Sequence, residues 1–231
     1  MRATEFEAFA GRAAHDVRNP VAAAQMALDL VAARAAADAH GRELVDRARR
    51  NLQRTQTIID GLLQFARAGA RPLPDAAEDV ASIVADAAAS FRPAAEQAHI
   101  EVQLEPLPTC TVACSAGVLM SLVSNLVQNA IKYMGNAPRR RVTVRAFDVG
   151  GTVRIEVEDT GPGLPPGEVE ELFKPFVRGP TQVQGGIGLG LATVRRLAET
   201  HGGRAGARAG AGDGAIFWFE LPTARTTRAG P

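Results

Sequence analysis

Two runs of apolar residues at three- and four-residue steps decide most of what this chain is able to fold into. The first passes through Phe6, Phe9, Ala13, Val17, Pro20, Ala24, Leu28 and Val31, within residues 4–34. The second passes through Leu44, Ala48, Leu52, Thr55, Ile59, Leu62 and Ala66, within residues 42–67. Such spacing lays an apolar stripe along a helix, and at 1.5 Å per residue each helix extends about 35–45 Å. The joint, AAADAHG, is short and ends on Gly41, a helix stop, so the two helices are expected to fold back as an antiparallel hairpin. A lone hairpin leaves both stripes half covered. Pairing two hairpins into a four-helix bundle covers them, which predicts a homodimer.

Within the first helix the stretch AAHDVRNPVAA raises a separate question. Proline inside a helix removes a hydrogen bond and clashes one turn back, at about 3 kcal/mol, although Pro20 would be harmless if it began a new helix. His15 lies two residues from both Ala13 and Val17, about 200° around the helix from each, and so projects away from the apolar seam. Asn19 shares its face at i+4 and Asp16 is adjacent. A lone exposed histidine is ordinarily a surface residue; this one has company.

Bulk composition narrows the classes. Of 231 residues, 46% are hydrophobic and 22% charged, the ordinary globular mixture with length for a sizeable core. A net charge of +1 supplies no field for nucleic acid or an anionic membrane, and no window approaches the roughly 18 apolar residues of a membrane span. The opening MRATEFEAFAGR is interrupted by charges and does not read as a signal peptide. Cys110 and Cys114 have no His/Cys set beside them, so they are expected to be plain thiols in a reducing compartment. Only two lysines, Lys132 and Lys174, occur among 26 basic residues.

Beyond a Pro/Gly/Ala-rich break near residue 70, helix and strand patterns mix. Residues 79–98 read as a helix, 99–107 as an alternating strand and 110–114 as a short strand. Residues 115–134 follow as an amphipathic helix with Ser115 as N-cap. Residues 140–159 read as two strands around a Gly-Gly turn. A helix over 191–203 and a strand over 214–222 complete the region. Without strict βαβ alternation, this favours a two-layer α/β sandwich.

Four stretches here carry chemistry. NLVQNAIKY puts Asn125 and Asn129 one helical turn apart, followed by Lys132 and Tyr133; two carboxamides and an ammonium suit a hydrated magnesium ion and phosphate oxygens. An asparagine in a helix is nonetheless ordinary when met alone. DTGPG, holding Asp159, Gly161 and Gly163, follows a strand; its glycines permit close backbone approach, and its carboxylate suits an adenine amino group, although many loops look similar. GGIGLGL, with Gly186, Gly188 and Gly190, opens a helix and offers backbone N–H groups to an anion. It follows a loop rather than a strand, and GxxxxGK[ST] is absent, so the dinucleotide-fold and P-loop readings fail their context. Between these, LFKPFVRGPTQVQ reads as a flexible lid, with Phe173 and Phe176 as anchors and Lys174 and Arg178 within reach of phosphates.

The order HDVRNP, NLVQNAIKY, DTGPG, FKPF, GGIGLGL resembles the H, N, G1, F and G2 boxes of a two-component sensor histidine kinase core, from about residue 4 to 222. The resemblance implies an α+β chain. An N-terminal antiparallel helical hairpin (1–68) dimerizes into a four-helix bundle, a linker (69–78) follows, and then a two-layer α/β sandwich ATP-binding domain (79–222) and a flexible tail (223–231). It implies His15 as phosphoacceptor, Asp16 orienting the imidazole or taking its proton, and Asn19 positioning water for phosphatase activity. Pro20 becomes the helix-bending proline, loosening the helix where the catalytic domain docks. Asn129 would carry Mg²⁺ supported by Asn125, with Lys132 and Tyr133 at phosphates and base. Asp159, Gly161 and Gly163 would form the adenine pocket, and Gly186, Gly188 and Gly190 would meet the phosphates.

The implied reaction moves a phosphoryl group from ATP to a neutral imidazole, then to an aspartate of a response-regulator receiver domain expected to act in trans. The family would work in the cytoplasm, with any sensor or membrane anchor upstream. Departures from the commonest pattern are Cys114-Ser115 for Gly-Asp, Gln128 for an acid, and Asp-Val-Arg-Asn for Glu-Leu-Arg-Thr. The alternatives are an ATP-inactive phosphotransfer scaffold of the same fold, a related kinase that modifies serine, and a net phosphatase.

Overall fold

A computed structural model describes residues 21–29, 31–32, 39–164, 169–177, 188–210 and 212–224. Helical residues 21–29 and 31–32 (α1) run beside α2 (Ala39–Arg67). Val21 is buried with Ile59 and Leu63, Leu52 packing against them. Asp29, two turns further along α1, accepts from Arg49 Nη2 at 2.7 Å. Advancing on one helix while retreating on the other is the antiparallel hairpin that the 3–4 spacing and Gly41 demand. The buried line differs by a residue from the expected stripe: Val45 and Leu63 turn inward, while Met26, Val31, Leu44 and Leu62 remain exposed.

The second unit carries β1 (Glu78–Asp79), α3 (Val80–Ser90), α4 (Arg92–Gln97), β2 (Glu101–Leu104), β3 (Thr111–Val112), α5 (Ala116–Lys132), β4 (Arg141–Asp148) and β5 (Thr152–Asp159). A 3-10 helix (Val169–Phe173), α6 (Gly190–Thr200), β6 (Arg204–Ala209) and β7 (Ala215–Pro222) follow. Five strands form one sheet in the order β2-β4-β5-β7-β6, with β2 parallel to β4 and the other pairs antiparallel. β1 and β3 pair separately.

The helix expected over 79–98 is broken at Phe91, because Pro93 sits in the first turn of α4 and cannot continue a hydrogen-bonded helix. Asp79 caps α3 through Ser82 N–H at 2.7 Å. Ser115 stands at the N-cap of α5, but its side chain makes no capping bond; its carbonyl accepts from Val118 and Leu119 instead. Gly150 and Gly151, at φ +73° and +94°, make the primed turn between β4 and β5.

α5 is the spine of the core. Leu119, Leu122, Val123, Leu126, Val127 and Ala130 are buried, facing Ile155, Phe219 and Leu221 within one cluster. Truncating Leu126 to alanine costs about 2–5 kcal/mol at such a site. That stripe leaves Asn125 and Asn129 at its margin, half-buried.

The two units touch. Gln64 donates to Ser121 Oγ at 2.7 Å, and Thr200 Oγ1 donates to the Ala68 carbonyl at 3.1 Å. At the other end Thr223 and Ala224, expected to begin a frayed tail, still donate to the Gly151 and Thr111 carbonyls.

Candidate functional site

The C-terminal end of β5, the far half of α5 and the start of α6 converge. Asp159 closes β5 and is 5% exposed. Its Oδ1 accepts the Gly161 N–H at 2.9 Å, and the Ala215 N–H also points to the carboxylate. Burial pushes its carboxyl above the usual range, and these two N–H groups oppose that rise. Two bonds do not exhaust a carboxylate's acceptor sites, so Asp159 retains capacity for an outside donor.

Close packing makes the glycines around it obligatory. A Cβ on Gly161 would lie 2.9 Å from the Tyr133 carbonyl. Gly163, at φ +77°, would meet the Asp213 carbonyl at 2.3 Å. The sequence reading missed the opposite wall: Gly214 packs so tightly that its Cβ would lie 1.9 Å from the Asp159 carbonyl. The only sequence signal for that wall is the run of small residues, GDGA, before the last strand. Thr160, also unremarked, accepts from Arg141 N–H at 2.9 Å and donates to the Arg139 carbonyl at 2.5 Å, tying the end of β5 to the loop after α5.

Asn125 donates to the Ser121 carbonyl at 2.8 Å, and its Oδ1 faces Gly190, where a Cβ would come within 3.1 Å. Asn125 and Gly190 therefore meet, although 65 residues separate them. α6 begins without a side-chain cap, so its first N–H groups are open to an anion. Lys132 lies over the Tyr133 ring at 4.9 Å, and Tyr133 closes α5 by donating to the Asn129 carbonyl.

The lid segment departs from its expected form. Phe173 is 2% exposed and packs on Phe217, so its ring belongs to the core rather than to a flexible anchor; burying an aromatic ring outweighs leaving it at a loop tip. Phe176 is the exposed one. Lys174 Nζ rests on Glu171 at 2.5 Å. Gly188, at φ +73°, accepts from the Phe176 N–H at 2.9 Å. Cys114 is buried and its thiol is pushed up to about 12 by desolvation, so it stays protonated. His15, Asp16, Asn19, Arg178 and Gly186 lie outside the described residues.

The arrangement fits a purine nucleotide with its phosphates at α6. A buried carboxylate with spare acceptor capacity stands at one end, and carboxamides and open helix N–H groups stand at the other. Among the described residues no cluster of His, Cys, Asp and Glu could hold a metal, so a magnesium ion here would rest on carboxamide and phosphate oxygens. Among the described residues no helix is long and apolar enough to cross a membrane.

Comparison with known proteins adds independent findings. Residues 7–71 match the His Kinase A (phospho-acceptor) domain. Residues 114–225 match the histidine kinase-, DNA gyrase B- and HSP90-like ATPase family. The chain is 32% identical over 221 residues to the alginate biosynthesis sensor protein KinB of Pseudomonas aeruginosa, covering 93% of this chain and 36% of that protein. It is 30% identical over 227 residues to the sensor-like histidine kinase SenX3 of Mycolicibacterium smegmatis, covering 96% and 58%. The chain thus spans between about a third and three fifths of these relatives' length. Full-length ShkA in complex with AMPPNP superposes with a TM-score of 0.74 at 30% identity, covering 93% of this chain and 45% of that one. The mycobacterial sensor histidine kinase MprB gives 0.55 at 27% identity, covering 64% and 96%.

Proposed function

The chain belongs to the two-component sensor histidine kinases, and on that premise we propose that it is an ATP-dependent kinase core that phosphorylates His15 and passes the phosphoryl group to a response-regulator aspartate. The observation that carries this reading is the buried Asp159 carboxylate, which keeps acceptor capacity among close-packed glycines, while Asn125 and Gly190 adjoin at the start of α6.

In this reading Asp159 accepts the adenine amino group, and Gly161 and Gly163 let the base approach the backbone. Tyr133 and Lys132 flank base and phosphates. The open N–H groups of α6, with Gly186, Gly188 and Gly190, hold phosphate oxygens. Lys174 and Arg178 neutralise charge from the lid side. Asn129, steadied by Asn125, would hold Mg²⁺, and a divalent cation there would supply positive charge against the charge that develops on the phosphates.

A neutral His15 nitrogen attacks the γ-phosphorus. The N–P bond forms as the bond to the bridging oxygen breaks, ADP leaves, and Asp16 orients the ring or takes its proton. Positioning does much of the catalysis in such transfers. Asn19 positions the hydrolytic water for a separate phosphatase activity, in which water takes the phosphoryl group and inorganic phosphate leaves. The exposed Met26, Val31, Leu44 and Leu62 of the hairpin support a homodimer, since a second hairpin would cover them.

Incubation with Mg²⁺ and γ-labelled ATP beside His15→Gln tests the reading. Label that is acid-labile, base-stable and absent from the variant is expected. Acid-stable label, or label that persists in His15→Gln, would overturn the assignment.

A further inference from the structure

Arg195, on the second turn of α6, faces the segment that follows the lid's entry rather than the core. Its Nη2 bonds Glu170 Oε2 at 2.5 Å, and its guanidinium lies over the Phe173 ring, 4.5 Å from the centroid. Phe173 is itself wedged on Phe217, the two rings 6.4 Å apart and tilted by 54°. Seven residues upstream, just before α6, the Gly188 carbonyl accepts the Phe176 N–H at 2.9 Å. Residues 170–176 are therefore fastened to the start of α6 at two points, one on either side of Lys174. Phe176 holds φ +67° between them, a left-handed conformation that a bulky residue keeps only where its surroundings impose it.

We propose that Arg195 is a positioning residue for nucleotide binding: by pairing with Glu170 and stacking on Phe173, it holds Lys174 and the Phe176–Gly188 hydrogen bond against the helix start that receives the phosphates. This rests on the ATP reading above. A five-residue 3-10 helix has poor hydrogen-bond geometry of its own and needs an outside fastening. Arginine supplies both contacts at once, because its planar fork reaches a carboxylate while its face covers a ring; an ammonium cannot do both. Glu170 is largely exposed and Arg195 is not, so the stack is the stronger half and the ion pair sets its angle. With the segment held, a phosphate oxygen has only to compete with Glu171 for the Lys174 ammonium.

The test compares the full chain with Arg195→Ala, Arg195→Lys and Glu170→Gln, reading Mg-ATP affinity by calorimetry, KM and kcat of autophosphorylation, and amide hydrogen exchange at residues 173–176 without nucleotide. Arg195→Ala is expected to weaken Mg-ATP binding about fivefold and raise KM alike, with kcat changed less, the size a stacked guanidinium commands. Exchange at 173–176 should quicken. Arg195→Lys should recover less than half of the loss, and Glu170→Gln, which leaves α6 untouched, should move affinity in the same direction by less. Unchanged affinity and exchange in Arg195→Ala would overturn the proposal, as would a fall in kcat at constant affinity. If the wild-type chain binds no Mg-ATP, the functional reading fails, and the exchange comparison still decides whether Arg195 holds the segment.

Discussion

The guanidinium of Arg196 lies over the ring of Phe65, 4.9 Å from its centroid, and so joins the last turn of α2 to α6. The same guanidinium fills the space over Gly69, where a Cβ would meet its Nη2 at 2.2 Å. Adjacent arginines of α6 thus face different partners: Arg195 the segment entering the lid, Arg196 the helical hairpin.

Removing either side of the Arg196–Phe65 contact should show their coupling. A double-mutant cycle of Arg196→Ala and Phe65→Ala, read by chemical denaturation, should give an interaction of about 0.5–1 kcal/mol. Gly69→Ala should expel Arg196 and mimic the first of these changes, since the clash falls on a flexible side-chain end. Strictly additive losses would separate the two residues.

Asp159→Asn should separate binding from stability. Burial penalises the charged form of Asp159, so a neutral replacement should leave the melting temperature within a few degrees of wild type. The amide turns a donor toward the adenine amino group, and Mg-ATP affinity should fall about 100-fold. Equilibrium binding and thermal melts on one preparation check both halves.

Two glycine substitutions should have opposite signs. Gly163→Ala forces a Cβ against the Asp213 carbonyl at φ +77°, and backbone on both sides cannot give way. A loss of about 2 kcal/mol or more is expected, with weakened nucleotide binding. Gly117, in the first turn of α5, has open space where a Cβ would go. Gly117→Ala should stabilise by about 0.5 kcal/mol, measured by urea midpoints.

Acid stability should depend on Glu220. Buried on β7, it accepts from Arg204 Nε at 2.5 Å and from Arg154 Nε at 2.7 Å. The Arg204 hydrogen bond, with that of Arg154, holds its carboxyl below the usual glutamate range against the opposing effect of burial. A depressed folded-state value contributes stability above the unfolded-state value, and that stability is lost as pH falls through the folded one. Stability of the wild type should therefore fall as pH drops below about 4. Glu220→Gln should be less stable at pH 7 and lose less over the same interval, in melts across that range.

The hairpin, the α5 stripe, the Gly-Gly turn and the grouping of Asp159 with Gly161 and Gly163 were all legible in the chain. Each depends on neighbours within a few residues: periodic burial selects helix or strand, and φ > 0 selects glycine. Even there, local pattern erred where a nearby residue intervened, as Pro93 does in splitting α3 from α4.

Tertiary structure decided which distant segments meet. No local rule brings Gly214 and Ala215 against Asp159, faces Asn125 to Gly190, or sets Arg195 on Phe173. Nor does a motif reveal that Phe173 lies in the core while Phe176 stands exposed; both phenylalanines read alike in FKPF. Those outcomes follow from close packing of the sheet against α5 and α6, which admits one arrangement of side chains many residues apart. Local spacing sets the elements and the chemical groups available. Packing determined their distances, and with them which groups share a site.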